Sequence, residues 1–192
     1  MISKRLHILL FIAVAMIQLY IPAGMILERE DILKTGKQFK FRTAPVDPAD
    51  PFRGKYVALD FRNNIYEDRQ KRQWVPNEEI YAEIVENKEG FAEIAYISKT
   101  KPPEYTNYIK VRVLYVNTNN NTSQVNIAFP FDRYYMEETK APHAEKEYFE
   151  SLRDTGKVTF ALVKIKEGTA VLEDVMINNK SLKELAGKEI SK

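Results

Sequence analysis

Residues 6–27, LHILLFIAVAMIQLYIPAGMIL, limit the possible folds of this chain more than any other stretch. At about 1.5 Å per residue a helix over them reaches roughly 33 Å, enough to cross a hydrocarbon core of about 30 Å. His7 lies at one end of the run, and Gln18 and Pro22 are its interior interruptions. Gln18 would face either lipid near an interface or a hydrogen-bonding partner span. Pro22 and Gly24, beside Tyr20, are expected to kink or end the helix near the far interface. Lys4 and Arg5 precede the run, whereas Glu28, Arg29, Glu30 and Asp31 follow it. The positive-inside bias then assigns residues 1–5 to the cytoplasm, 6–27 to the membrane and the rest to the far side. A cleaved signal peptide is the competing reading, because the basic start is short. Residues 22–27 lack an A-x-A-like cleavage pattern, however, and the apolar run is longer than an h-region.

Beyond the run, residues 28–37 read as a linker or short helical continuation with Gly36 as a stop. Residues 38–192 then carry the signature of one antiparallel β domain. Residues 38–43 alternate, with Phe39, Phe41 and Thr43 on one face. Residues 56–63 form the next expected strand, and 64–77 are polar, irregular and hold Trp74. Residues 80–86 and 91–98 make a hairpin about Asn87-Lys88-Glu89-Gly90, with Ile80, Ala82 and Ile84 sharing a face. A helix near residues 78–86 is the alternative there, since Glu and Ala favour it. Lys101-Pro102-Pro103 breaks regular structure. Residues 108–117 and 124–131 pair across the polar turn NTNNNTS, whose N-x-S/T triplets are attributed to chance. Residues 142–153 are the one good soluble helix: Pro142 suits its first turn, and Ala144, Tyr148 and Leu152 form a stripe. Gly156 is expected to close it. A second hairpin turns at Glu167-Gly168, and the tail is a weak amphipathic helix or frayed end. The fold class is mainly β (α+β), an N-terminal transmembrane helix followed by one antiparallel β domain with a single packed helix.

Composition closes several routes to function. With no cysteine there are no disulfides, no thiol nucleophile and no cysteine-ligated metal. His7 and His143 alone cannot assemble a zinc cluster, and no cofactor is implied. A carboxylate site for Ca²⁺ about Asp47 and Asp50 lacks the EF-hand ligand series. Glycines are scarce and do not cluster into a phosphate loop, and no serine has a G-x-S-x-G setting. A serine/lysine dyad like that of membrane-anchored signal peptidases fails too, because no serine lies between Ser3 and Ser98. A net charge of +2 argues against nucleic acid, and Arg69, Lys71 and Arg72 read as a solvated loop. No catalytic or metal residue is assigned.

Two blocks mix charge with aromatics where a purely architectural strand would simply alternate. The first, residues 45–61 (PVDPADPFRGKYVALDF), is a stiff approach through Pro45, Pro48 and Pro51 into a strand. Gly54 stands at the entry, where φ > 0 or a close backbone approach is often needed. Tyr56, Ala58 and Asp60 then face one way, and Val57, Leu59 and Phe61 the other. Arg53 is expected to bridge Asp47 or Asp50, as a structural clamp ahead of ligand binding. The second block, residues 131–138 (FDRYYMEE), sets Asp132 and Glu138 about Tyr134 and Tyr135. The blocks are expected to meet at one rim of the sheet, with Arg53 close to a carboxylate of either.

Anchor, first block and second block together resemble the GDYXXLXY family of bacterial membrane-anchored proteins, over about residues 10 to 180. Gly54, Tyr56 and Leu59 match the family's strand entry, preceded by family-like Pro45, Asp47, Pro48, Asp50 and Arg53. Lys55 replaces the acid of the motif and Phe61 its final tyrosine, so a role for either group is absent here. The resemblance supplies no activity. It implies a partner, since such proteins tend to be encoded beside multi-span membrane proteins. The expectation is a single-pass protein of the bacterial cytoplasmic membrane, its domain outside the cytoplasm, binding an integral membrane protein or other envelope component. The candidate binding residues are Asp47, Asp50, Arg53, Gly54, Tyr56, Leu59, Asp132, Tyr134 and Glu138. The alternative is a membrane-anchored envelope hydrolase using Asp50 or Glu138 with Arg53 nearby.

Overall fold

The computed structural model describes residues 4–44, 56–70, 72–119, 122–154 and 156–190. Its first helix, α1 (Lys4–Thr35), runs through Pro22, so of the two outcomes expected there, a kink or an end, it does not end. A proline removes one hydrogen bond from the helix ladder, but the turns beyond it gain a tertiary anchor. Ile32 is buried, and the Lys166 ammonium donates to the carboxylate of Asp31 and to Thr35 Oγ1. Of the two readings of residues 28–37, the helical continuation is therefore adopted as far as Thr35, and a strand begins at Lys37. Gly36 alone lies between, its N–H donating to the Ile32 carbonyl at 2.8 Å. A Cβ at Gly36 would stand 2.5 Å from that carbonyl oxygen, so only glycine fits so tight a turn. The apolar stretch itself packs against no described residue of the domain, and its mean hydropathy reaches 2.2. Among the described residues α1 is one helix long and apolar enough to cross a membrane.

The strands are β1 (Lys37–Ala44), β2 (Tyr56–Ala58), β3 (Asp60–Phe61), β4 (Ile65–Asp68), β5 (Glu79–Glu86) and β6 (Ala92–Ser98), then β7 (Tyr108–Thr118), β8 (Ser123–Ala128), β9 (Arg133–Tyr135), β10 (Thr159–Lys166), β11 (Thr169–Ile177) and β12 (Lys180–Ser181). They form two five-stranded antiparallel sheets, β12-β11-β10-β1-β3 and β4-β8-β7-β5-β6, and the two-stranded ladder β2-β9. One apolar core joins them. Phe39, Phe41, Val163 and Val175 come from the first sheet, and Ile80, Ile84, Ile109, Val113 and Ile127 from the second. Both hairpins fall where expected, β5 with β6 and β10 with β11. Inward Ile80, Ala82 and Ile84 match the strand period of two, so the helical alternative near residue 80 is not adopted.

Three local expectations are corrected. The strand expected over 56–63 is broken at Leu59, because β2 pairs with β9 whereas β3 pairs with β1. The segment 64–77 is not wholly irregular: β4 forms in it and pairs with β8. On β7 the alternation of the sequence sets Ile109, Val111, Val113 and Tyr115 on one face, but the inward set ends at Val113, where a bulge shifts the register and turns Tyr115 to solvent.

Helix α2 (Ala141–Arg153) starts at the expected proline and buries Ala144 and Tyr148 on the expected stripe. Ser151 Oγ donates to the Tyr148 carbonyl at 2.6 Å and shares a hydrogen bond with Thr159, tying the last turn to β10. Of the two readings of the tail, the helical one is adopted. Helix α3 (Leu182–Ile190) buries Leu182 and Ala186 and packs against α2 and β11.

Candidate functional site

The two charged and aromatic blocks meet, and an aromatic cluster is what brings them together. Phe129 and Phe131 stack at 5.2 Å with 20° between their rings. Phe41 and Phe61 approach both edge-on, with centroids 5.3 and 5.0 Å away for Phe41 and 5.6 and 5.2 Å for Phe61. Each such pair contributes about 0.5–1.5 kcal/mol beyond its buried area. Phe61, in place of the family's tyrosine, therefore sits in a hydrocarbon setting. The cluster fixes residues 129–131, and the Asp132 carbonyl then accepts the Leu59 N–H at 2.8 Å. Beyond it β9 and β2 run antiparallel, with Tyr56 opposite Tyr135, Val57 opposite Tyr134 and Ala58 opposite Arg133.

Alternation along this ladder sorts its side chains. Val57 and Tyr134 turn inward, and the Tyr134 hydroxyl donates to the Asp174 carboxylate of β11. Burial first, and then that carboxylate, push the Tyr134 phenol far above its ordinary pKa. It stays protonated, a pin between layers. Tyr56, Arg133 and Tyr135 turn outward: the tyrosine rings lie 5.6 Å apart, and the Arg133 guanidinium covers Tyr56 at 5.2 Å. The nearest carboxylate to Arg133, that of Asp132, is 3.7 Å away and exposed.

Beside the ladder opens a groove of ≈ 750 Å³, bounded by Arg29 of α1, Tyr108 and Arg112 of β7, Asp132, and the β10–β11 turn at Gly168. A smaller groove of ≈ 390 Å³ shares Arg29, Asp132 and Arg133 and adds Tyr135 and Lys183. The turn is held against β7 by the Gly168 carbonyl, which accepts the Lys110 N–H at 2.9 Å. Gly168 has φ +88°, and a Cβ there would lie 2.6 Å from Tyr108 Cε2, so the close approach of turn and ring requires glycine. Lys110 is paired with Glu79 at 2.7 Å, which holds the Glu79 carboxyl below its usual range. Arg29 and Arg112 are exposed and make no ion pair among the described residues.

Of the residues singled out from sequence, Tyr56 and Asp132 border this open face. Leu59 is core, its backbone joining the blocks, and Tyr134 is the buried pin. Glu138 is exposed on the way from β9 to α2 and borders none of the described grooves. Asp47, Asp50, Arg53 and Gly54 lie outside the described residues, and with them the expected Arg53 bridge. Sequence reasoning missed Arg29, Tyr108, Arg112 and Arg133. Arg29 carried one signal, a lone cation on the acidic side of the apolar run.

The basic run near residue 70 is corrected at Arg72 alone, since Arg69 is exposed on a turn as expected and Lys71 lies outside the described residues. Arg72 is not a solvated loop residue. Its guanidinium binds Asp68 (Nε to Oδ2, 3.1 Å) and the Ile97 carbonyl (3.0 Å) and stacks on Trp74 and Tyr96. The Trp74 indole and the Gln70 and Arg72 backbone N–H groups also donate to Asp68. Burial pushes the Asp68 carboxyl up, but these donors outweigh it and hold it below its ordinary range.

A single apolar helix running directly into an antiparallel domain of two sheets and packed helices defines an α+β protein with one candidate membrane span. The chain belongs to the GDYXXLXY protein family, whose model matches residues 18–175. The family is one of unknown function. No curated protein and no solved structure matches the chain.

Proposed function

We propose that this protein is a single-pass module of the bacterial cytoplasmic membrane that binds a multi-span membrane protein or other envelope component through its domain outside the cytoplasm. The ladder β2–β9 presents the docking face, with Tyr56, Arg133 and Tyr135 as its anchors. The observation that carries this reading is the pairing of the two blocks, which leaves two tyrosines and an arginine outward on a short ladder backed by the phenylalanine cluster. Rigid aromatic and guanidinium groups dominate binding energy at protein interfaces. The unbroken junction of α1 with β1 supports it further, because a face tied to an emerging helix stays near the surface where membrane partners project. The hydrolase alternative gains no support from the described carboxylates, since Glu138 borders none of the described grooves.

A photo-crosslinking residue at Tyr135, in cells, should capture a multi-span membrane protein identified by mass spectrometry. The same residue at Lys88, exposed on the β5–β6 turn and outside the groove beside the ladder, should not. Equal capture from both positions, or none from Tyr135, would sink the docking face. A reporter fused after Lys192 should be active only outside the cytoplasm, and the reverse pattern would overturn the orientation.

A further inference from the structure

The larger groove has features that a protein-docking ladder does not need. Its cations outnumber its acids, and the acids are partly used up: Glu79 is paired with Lys110, and Asp132 leans on Arg133. Glu167 also lines the groove and acts on Lys101, but Arg29, Lys101 and Arg112 make no ion pair among the described residues, so the lining keeps an excess of positive charge. Tyr108 adds a second, independent observation. Its side chain is 2% exposed, borders the groove, and its hydroxyl has no hydrogen-bond partner. A buried, unsatisfied hydroxyl destabilises the fold, and an acceptor entering the groove would offset that cost. Lys101 lies against that hydroxyl, which is the main cause that raises its ammonium pKa; an ammonium can only donate, so the hydroxyl proton is still left without an acceptor.

Position selects among acceptors. Arg29 is two residues beyond the apolar run, about 3 Å along the helix axis. The headgroup layer on one side of a bilayer is roughly 5–7 Å deep. With α1 across a membrane, the Arg29 wall of the groove lies within that layer. The volume, ≈ 750 Å³, falls within the range of about 300–1,000 Å³ usual for small-ligand sites.

We infer that this groove binds the phosphate of an anionic phospholipid headgroup from the leaflet into which α1 emerges. Arg29 and Arg112 supply bidentate guanidinium donors to phosphate oxygens, Lys101 adds a point charge, and the Tyr108 hydroxyl donates from the floor. The inference goes beyond the docking reading and does not depend on it: loss of lipid binding would leave crosslinking at Tyr135 untouched, and the reverse.

The test titrates the full-length protein, in a neutral detergent, with dihexanoyl phosphatidylglycerol, dihexanoyl phosphatidylcholine and sodium phosphate, following binding by thermophoresis. Saturable binding of the phosphatidylglycerol at least tenfold tighter than of the phosphatidylcholine is expected. Arg29→Ala combined with Arg112→Ala should weaken it at least tenfold with an unchanged melting temperature, because both side chains are exposed and unpaired. Tyr108→Phe, which keeps the ring, should weaken it several-fold. Lys88→Ala, on the distant β5–β6 turn, should leave it unchanged. Equal affinity for the two lipids, or full binding by the double variant, would overturn the inference. Sodium phosphate binding as tightly as phosphatidylglycerol would overturn the lipid assignment and leave a free-phosphate site.

Discussion

Arg72 and Arg133 are built from the same parts and come to opposite ends. Each stands by an aspartate and covers an aromatic ring. Around Arg72 everything is closed: Asp68 is 1% exposed and accepts from the guanidinium, an indole and two backbone amides. Around Arg133 everything is open: its side chain is 46% exposed and that of Asp132 62%, at 3.7 Å. A charge whose partners are all supplied by its own chain belongs to the fold. A half-exposed charge held by ring stacking and by the neighbouring Tyr135 hydroxyl has capacity left for something else. Residue type alone does not separate the two. Satisfaction does.

Breaking the closed cluster should have the largest effect. Asp68→Ala leaves a partly buried guanidinium and a buried indole N–H unpaired, and stability should fall by about 3–5 kcal/mol, read as the shift of a thermal or denaturant midpoint. A loss below about 1 kcal/mol would erase the contrast with Arg133. Next comes the glycine that supports the open region. Gly168→Ala combines a left-handed backbone with a clash against Tyr108, and about 1–3 kcal/mol should be lost. An unchanged midpoint would mean that turn and ring separate freely.

Acid should act on the closed cluster in a defined window. The folded pKa of Asp68 is depressed, so its contribution is fully present above the unfolded carboxyl value of about 3.9 and is lost as pH falls from there through the folded value. Asp68→Asn should flatten the stability profile below about pH 4. A profile as steep as the wild type would assign acid sensitivity to other carboxylates. The smallest effect belongs to Arg133→Ala, expected within about 0.5 kcal/mol of the wild type. A larger loss would make Arg133 a second clamp and remove the reason to treat its face as available.

Much of this was legible where the signal is local. Hydropathy over residues 6–27 marked α1, and period-two alternation gave the inward sets of β5 and of Val57, Leu59 and Phe61. Tyr148 followed from four-residue spacing on α2. What escaped depends on partners far away in the chain. Asp68 is buried because β4 pairs with β8, a ladder with residues 123–126 that nothing in its own composition announces. The strand break at Leu59 arises because its N–H finds Asp132 rather than a neighbour of β3. The groove is the extreme case: Arg29, Tyr108, Arg112 and Gly168 come from a helix, a strand and a turn spread over most of the chain. That the helix does not end at Pro22 has a related reason, since the local cost is set against the burial of Ile32 and the Asp31–Lys166 pair further along α1.

That last junction has a mechanical side. Gly36 alone separates helix from sheet, and hydrogen bonds cross the joint, so α1 and the β domain turn as one lever. Spanning helices lean to match the thickness of the bilayer around them, by about 20° on average. A lean of α1 becomes an equal lean of the domain, sweeping the ladder and groove towards or away from the lipid surface. With α1 across a membrane, bilayer thickness would thus set the angle at which the ladder and groove face the lipid surface.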